Sequence, residues 1–215
     1  MSGALQAVFQ NLRSFGRAIG SPYEGGYYAG QISTAGNGIA DYNLVVGPKS
    51  STDTMKQFRT AFLGGDPTSV IDGPANSSTM NNASHPAAEF CEGLTVGGFS
   101  DWYLPAKNEL EVCYYNLKPT TADNYTSSGI NANAVPARAS NYTATGAPFQ
   151  TSATDFQTGG SEFFGSGASY WTSTQSAGNP IGADGQYFGS GASGYQVGTG
   201  KTTNYKVRAI RRVAV

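Results

Sequence analysis

One histidine and two cysteines, with fourteen acidic residues, are the whole stock for acid–base, nucleophilic or metal chemistry in 215 residues. A lone histidine excludes a multi-histidine metal centre. His85 and Cys91 are six positions apart, and on a helix that spacing puts a base and its thiol on different faces. Its place before Pro86 makes His85 a helix cap instead. Glu109 and Glu111 are two apart on a helical pattern, so they diverge and make a poor acid/base pair. Asp101, ahead of Trp102, suits turn amides or a cap. No glycine run carries the Walker lysine–serine pair or dinucleotide spacing. Asp184 or Asp123 offers at most a single carboxylate to calcium, and no cofactor is expected. Cys91 and Cys113 both fall on apolar faces, which fits reduced thiols or a bridge worth about 3 kcal/mol in chain entropy. The chain is therefore not expected to be an enzyme.

Binding chemistry is better supplied. Lys201, Lys206, Arg208, Arg211 and Arg212 alternate along an apolar strand, so they are expected to anchor the core and line a polar edge. An inward arginine there needs a buried carboxylate or backbone carbonyls. The net charge of -1 gives no general attraction to nucleic acid or an anionic bilayer. Between Phe163 and Tyr205, aromatic residues are interleaved with Ser, Gly, Asn, Gln and Thr. Such mixtures give contact area with adaptable hydrogen bonding, and they suit sugars, whose apolar faces stack on rings. The candidate ligand-binding residues are Tyr187, Tyr195, Gln196, Asn204 and Tyr205; Trp171 and Phe188 are assigned to the core.

The elements that must carry these residues are short. Twenty-nine glycines and ten prolines exclude a helical bundle, and only 13% of residues are charged. No apolar run is long enough to insert in a membrane, no secretory signal is visible, and the four Asn sequons are read as chance. In residues 1–20, Leu5, Val8, Phe9, Leu12, Phe15 and Ile19 recur at helical spacing. This stripe predicts a helix that packs on the following domain, docks to a partner or pairs with copies of itself, a trimer being favoured. Strands are predicted at Tyr27 to Ile32, Tyr42 to Val46 and Tyr170 to Thr174, with a final strand from Tyr205 to Val213. Residues 53–63 fit either helix or strand, and 64–84 read as turns. Helices are expected near 85–94 and 106–117, the second with Lys107, Asn108 and Glu111 facing away from its apolar side. From Pro119 to about Gly167 periodicity is weak. There is no internal repeat and no linker between two cores.

The run Gly97-Gly98-Phe99-Ser100-Asp101-Trp102-Tyr103-Leu104-Pro105-Ala106-Lys107-Asn108-Glu109-Leu110 resembles the signature of the DUF1566 family, also called the Lcl C-terminal domain. Tyr170-Trp171-Thr172-Ser173-Thr174 and Val207-Arg208-Ala209-Ile210-Arg211-Arg212-Val213 continue the likeness, which runs from about Gly25 to Val215. Gly26-Tyr27-Tyr28-Ala29-Gly30 and the cysteine surroundings look like versions found in tailed bacteriophages as tail fibre proteins. The resemblance implies an α+β, C-type-lectin-like fold of the formylglycine-generating-enzyme-like superfamily. Short twisted antiparallel strands, two helices and long Gly/Ser/Thr/Asn-rich loops are expected over 21–215. Trp102, Leu104, Pro105, Leu110 and Trp171 would be scaffold, and the loops between Trp171 and Val207 a ligand face. The enzyme branch of that superfamily uses a late cysteine pair, whereas no cysteine here follows Cys113. The function implied is virion attachment: a tail fibre or tail-tip protein, assembled in the host cytoplasm, that recognises a bacterial surface glycan or outer-membrane protein. Other phage tail proteins are the expected partners. A non-binding structural tail or capsid-decorating protein and a polysaccharide-active enzyme are the alternatives.

Overall fold

The structure is a computed structural model that describes residues 16–165 and 167–215. The first sheet joins β1 (Pro22–Tyr23), β2 (Gly26–Ile32), β3 (Tyr42–Val46) and β10 (Ile210–Ala214) in that order, with β5 (Ala134–Val135) also on β2. The second runs β4 (Asp53–Gln57), β9 (Asn204–Arg208), β6 (Ser169–Gln175), β7 (Gly182–Tyr187), β8 (Gln196–Gly200). Four α-helices accompany them among the described residues: α1 (Lys49–Thr52), α2 (Gly73–Thr79), α3 (Pro86–Glu92) and α4 (Lys107–Leu117). The architecture is mixed α+β. Its pairings are antiparallel except β6 with β9, which run parallel, so a wholly antiparallel arrangement is corrected.

Helix α4 contacts β2 and β3 of one sheet and β6 and β7 of the other. Its apolar stripe explains this: Leu110, Cys113, Tyr114 and Leu117 are buried with Leu44, Val46, Tyr170, Phe188 and Ile210. A second cluster gathers Phe58, Cys91, Trp102, Leu104, Trp171 and Val207 under α2 and α3. With both faces covered, β6 is buried from Tyr170 through Thr174 rather than alternating. Trp102, Leu110, Trp171 and Val207 are all buried, as expected, but Leu110 belongs to the first cluster and the other three to the second. Both cysteines are free and buried, one in each cluster, and burial pushes both thiols up.

One open alternative of the sequence reading is resolved, and two segments differ from it. Residues 53–57 form strand β4, because Thr54 and Met55 pair with Val207 and Lys206; Phe58 is then buried while Met55 and Phe62 stay exposed. Within 64–84, helix α2 is capped by Asp72, whose side chain accepts the Ala75 N–H, with proline in the first turn. The final strand divides at Ala209. Before it the chain pairs with β4; after it, with β3. Ala209 crosses between the sheets by donating to Thr52 O and accepting from the Gly47 N–H. Of the stripe expected in residues 1–20, Leu5 to Phe15 lie outside the described residues. Ile19 sits in a turn and packs on the first cluster.

Candidate functional site

Each late cation has a carboxylate of its own. Lys201 meets Asp66 at 2.6 Å, Lys206 meets Asp53 at 2.8 Å, Arg208 meets Glu162 at 2.7 Å, Arg211 meets Asp101 at 2.7 Å and Arg212 meets Glu109 at 2.7 Å. Arg208, fully buried, also donates to Gly47 O and Glu162 O. These side chains lock distant segments together, which is the anchoring role expected of them.

The acidic residues weighed for chemistry in the sequence are likewise engaged. Glu109 reaches back to the Ala106 N–H at the start of α4 and accepts from the Tyr103 hydroxyl and Arg212. Burial pushes its carboxyl above the ordinary value, with Arg212 opposing. Glu111 does not face away: it is fully buried, accepts from Tyr142 and Asn131, and lies 3.1 Å from Arg138. Spacing alone hid this, because a polar residue off the apolar stripe reads as solvated unless its distant partners are known. Asp101 caps no helix among the described residues; its two oxygens accept from Arg211. His85 occupies the position before α3, but its ring bonds Asn82 and Asp66 rather than capping the helix. Asp184 accepts from the Ser176 hydroxyl and lies 3.1 Å from the Lys107 ammonium. No three His, Cys, Asp or Glu side chains converge as a metal set among the described residues, and no helix there is long and apolar enough to cross a membrane.

The proposed ligand residues separate into two groups at opposite ends of β8. Asn204 is exposed at the start of β9, and Tyr205 tilts over Trp171 with ring centroids 4.5 Å apart. The Tyr205 hydroxyl shares a 3.1 Å hydrogen bond with Thr199, near the end of β8, and its ring lies over Gly185, where a Cβ would meet it at 3.4 Å. Tyr187, Tyr195 and Gln196 stand at the other end, half-buried, around the β7–β8 connection.

That connection is seated on segment 123–128. Tyr125 N–H donates to Ser193 O, Ser193 N–H to Asp123 O, and Gln196 N–H to the Ser128 hydroxyl. From below, the Tyr114 hydroxyl of α4 bonds both Ser193 and Asn124. Gly194, with φ 83°, passes so close to the Tyr114 ring that a Cβ would lie 2.6 Å from it. On top, Tyr195 meets Tyr125 edge to face at 4.4 Å. Tyr125 was not singled out from the sequence; it lies in the stretch after Pro119 where periodicity fails, and only the tertiary fold brings it to Tyr195.

A family model described as the Lcl C-terminal domain matches residues 66–211. No curated protein and no solved structure matches the chain. The match begins well after Gly25, so β1 to β4 precede it, yet β4 pairs with β9, which lies within it, and β3 pairs with β10, of which Ile210 and Arg211 lie within it. Since the match spans more than half of the 215 residues, the chain belongs to the Lcl C-terminal domain family.

Proposed function

We propose that this chain is a non-catalytic recognition domain with a C-type-lectin-like fold, carried on a phage tail fibre or tail tip, which engages a bacterial surface glycan or protein. One observation carries the reading. The tip of the β7–β8 hairpin is pinned to segment 123–128 and to Tyr114, and presents Tyr125, Tyr187, Tyr195 and Gln196 half-exposed on that fixed base. Tyrosine with small polar neighbours on a preformed base gives affinity at low ordering cost. The carboxylates of α4, Glu109 and Glu111, are buried and committed to their partners, which favours recognition over turnover. The loop-rich stretch between α4 and β6 is the kind of segment that carries function on a rigid scaffold.

The test is adsorption of the purified chain to a panel of bacterial cells and their extracted surface polysaccharides. Saturable binding that falls about tenfold in Tyr195→Ala, with unchanged thermal unfolding, is expected. A chain that binds no cell or polysaccharide overturns the reading in favour of a structural tail component. Release of reducing ends from a bound polysaccharide overturns it in favour of an enzyme.

A further inference from the structure

Beside the hairpin tip lies a cleft of about 360 Å³ between residues 118–123 and 144–150. Its size is at the small end for ligand sites, about 300–1,000 Å³, room for a short saccharide rather than a large cofactor. Its walls are fixed from beneath. Asn124 donates its side-chain amide to Thr143 O and Gly146 O, and its backbone N–H to Ala144 O. The Lys118 ammonium, on a residue 2% exposed, donates to Ala122 O, Asn124 Oδ1 and Pro148 O. The Thr151 N–H and the Gln150 side chain close the far wall onto Lys118 O and Pro119 O. Over this floor stands Phe149, 70% exposed, with Thr121, Thr145, Gln150 and Asp123 around it.

We propose that this cleft is a subsite for a neutral pyranose, with Phe149 as the stacking platform and the threonine hydroxyls and Gln150 amide oxygen as hydroxyl partners. An exposed ring beside small polar groups offers a sugar both its apolar face contact and its hydrogen bonds. Charge selects the class. All three protons of Lys118 are taken by acceptors, so none remains for an anion, and the Asp123 carboxylate at the rim repels one. The buried ammonium beneath opposes a cation. The site adjoins the hairpin tip, because Asp123 O accepts the Ser193 N–H at 3.2 Å. The proposal rests on the recognition reading for its biological ligand but not for its chemistry.

The experiment uses saturation-transfer and amide-shift NMR on the full chain with methyl glucoside, methyl galactoside and N-acetylglucosamine as neutral probes. Glucosamine and N-acetylneuraminic acid are the charged ones. Neutral probes are expected to shift amides of 122–123 and 144–150. Phe149→Ala should weaken them about tenfold, and Phe149→Tyr should retain them. No transfer at tens of millimolar, shifts confined to other residues, binding unchanged in Phe149→Ala, or preference for a charged probe each overturns the subsite. Cell adsorption separates the two proposals. Adsorption that survives Phe149→Ala but not Tyr195→Ala removes the subsite and keeps the recognition reading. Neutral-probe binding by a chain that adsorbs to nothing does the reverse.

Discussion

Glu109 and Arg212 meet at 2.7 Å although 103 residues separate them, and the backbone of Gly73 at the start of α2 closes over the pair. A Cβ on Gly73 would lie 2.0 Å from Glu109 Oε2 and 2.6 Å from the Tyr103 ring. Neither atom can yield easily, since both belong to groups bonded on several sides. Gly73→Ala should therefore destabilise the fold by about 1–3 kcal/mol, the usual cost of overpacking. Gly191→Ala, where a Cβ meets nothing within 4 Å, should change stability by less than about 0.5 kcal/mol. Urea unfolding of both variants measures the contrast, and equal losses would refute this account of the Glu109 environment.

Asp66 gives a pH-dependent prediction. Burial pushes its carboxyl up, but hydrogen bonds from Lys201 and His85, with their charges, prevail and hold it below the ordinary 3.8. Arg59 adds a further contact at 2.8 Å. A lowered native pKa means that the stabilisation is present above the unfolded value and disappears as pH falls through the folded one. Asp66→Asn leaves fully buried Lys201 without its carboxylate and should cost about 3 kcal/mol near neutrality, at the low end for a broken buried pair. Lys201 keeps Leu63 O, Gln175 and Pro180 O, which limits the loss. The gap between wild type and variant should narrow below about pH 4. A gap that widens in acid would show the sign to be wrong.

Trp171 supports both the core and the candidate surface. It is fully buried, donates its indole N–H to Lys56 O and carries the Tyr205 ring. Trp171→Ala should cost about 3–5 kcal/mol in denaturant unfolding, combining lost transfer energy with a cavity. Trp171→Phe should recover more than half of that. If the alanine variant loses less than about 1 kcal/mol, Trp171 is not the core residue described.

What the sequence made legible was local. Strand Tyr42–Val46, the helix over Lys107–Leu117 and the core role of Trp171 follow from period, turn chemistry and residue type. The pairing of Arg208 with an acid was foreseeable because an inward guanidinium requires one, but Glu162 itself was not. The breakpoint at Ala209 left no mark either, since residues 205–213 alternate without interruption and only partner strands decide the sheet. The proposed binding surface was half legible. Tyr187, Tyr195 and Gln196 announced themselves by composition, whereas Tyr125 and Phe149 sit in loops whose positions are set by the buried polar side chains of Asn124 and Lys118. Phe149 did leave one signal: a large aromatic stranded between Pro148 and Gln150 in a run of small polar residues.

The apolar spacing of Leu5, Val8, Phe9, Leu12 and Phe15 yields the final prediction, for a segment outside the described residues. A helix of that length is marginal alone in water, so the stripe needs a partner surface. Ile19 does not continue it, because Ile19 packs on the first core cluster, and Gly20 N–H is bonded to Tyr28 O. A chain cut before Gly16 therefore keeps the contacts of Ile19 and Gly20 with the domain. Copies of the chain that bury their stripes together, as a trimer, would present several weak binding faces at once and gain avidity. Light scattering at micromolar concentration should give a trimer for the full chain and a monomer for a chain beginning at Gly16, with the same unfolding temperature. A full chain that is already monomeric refutes self-association through the stripe, and capture of a neighbouring tail protein by the full chain alone would then identify its partner.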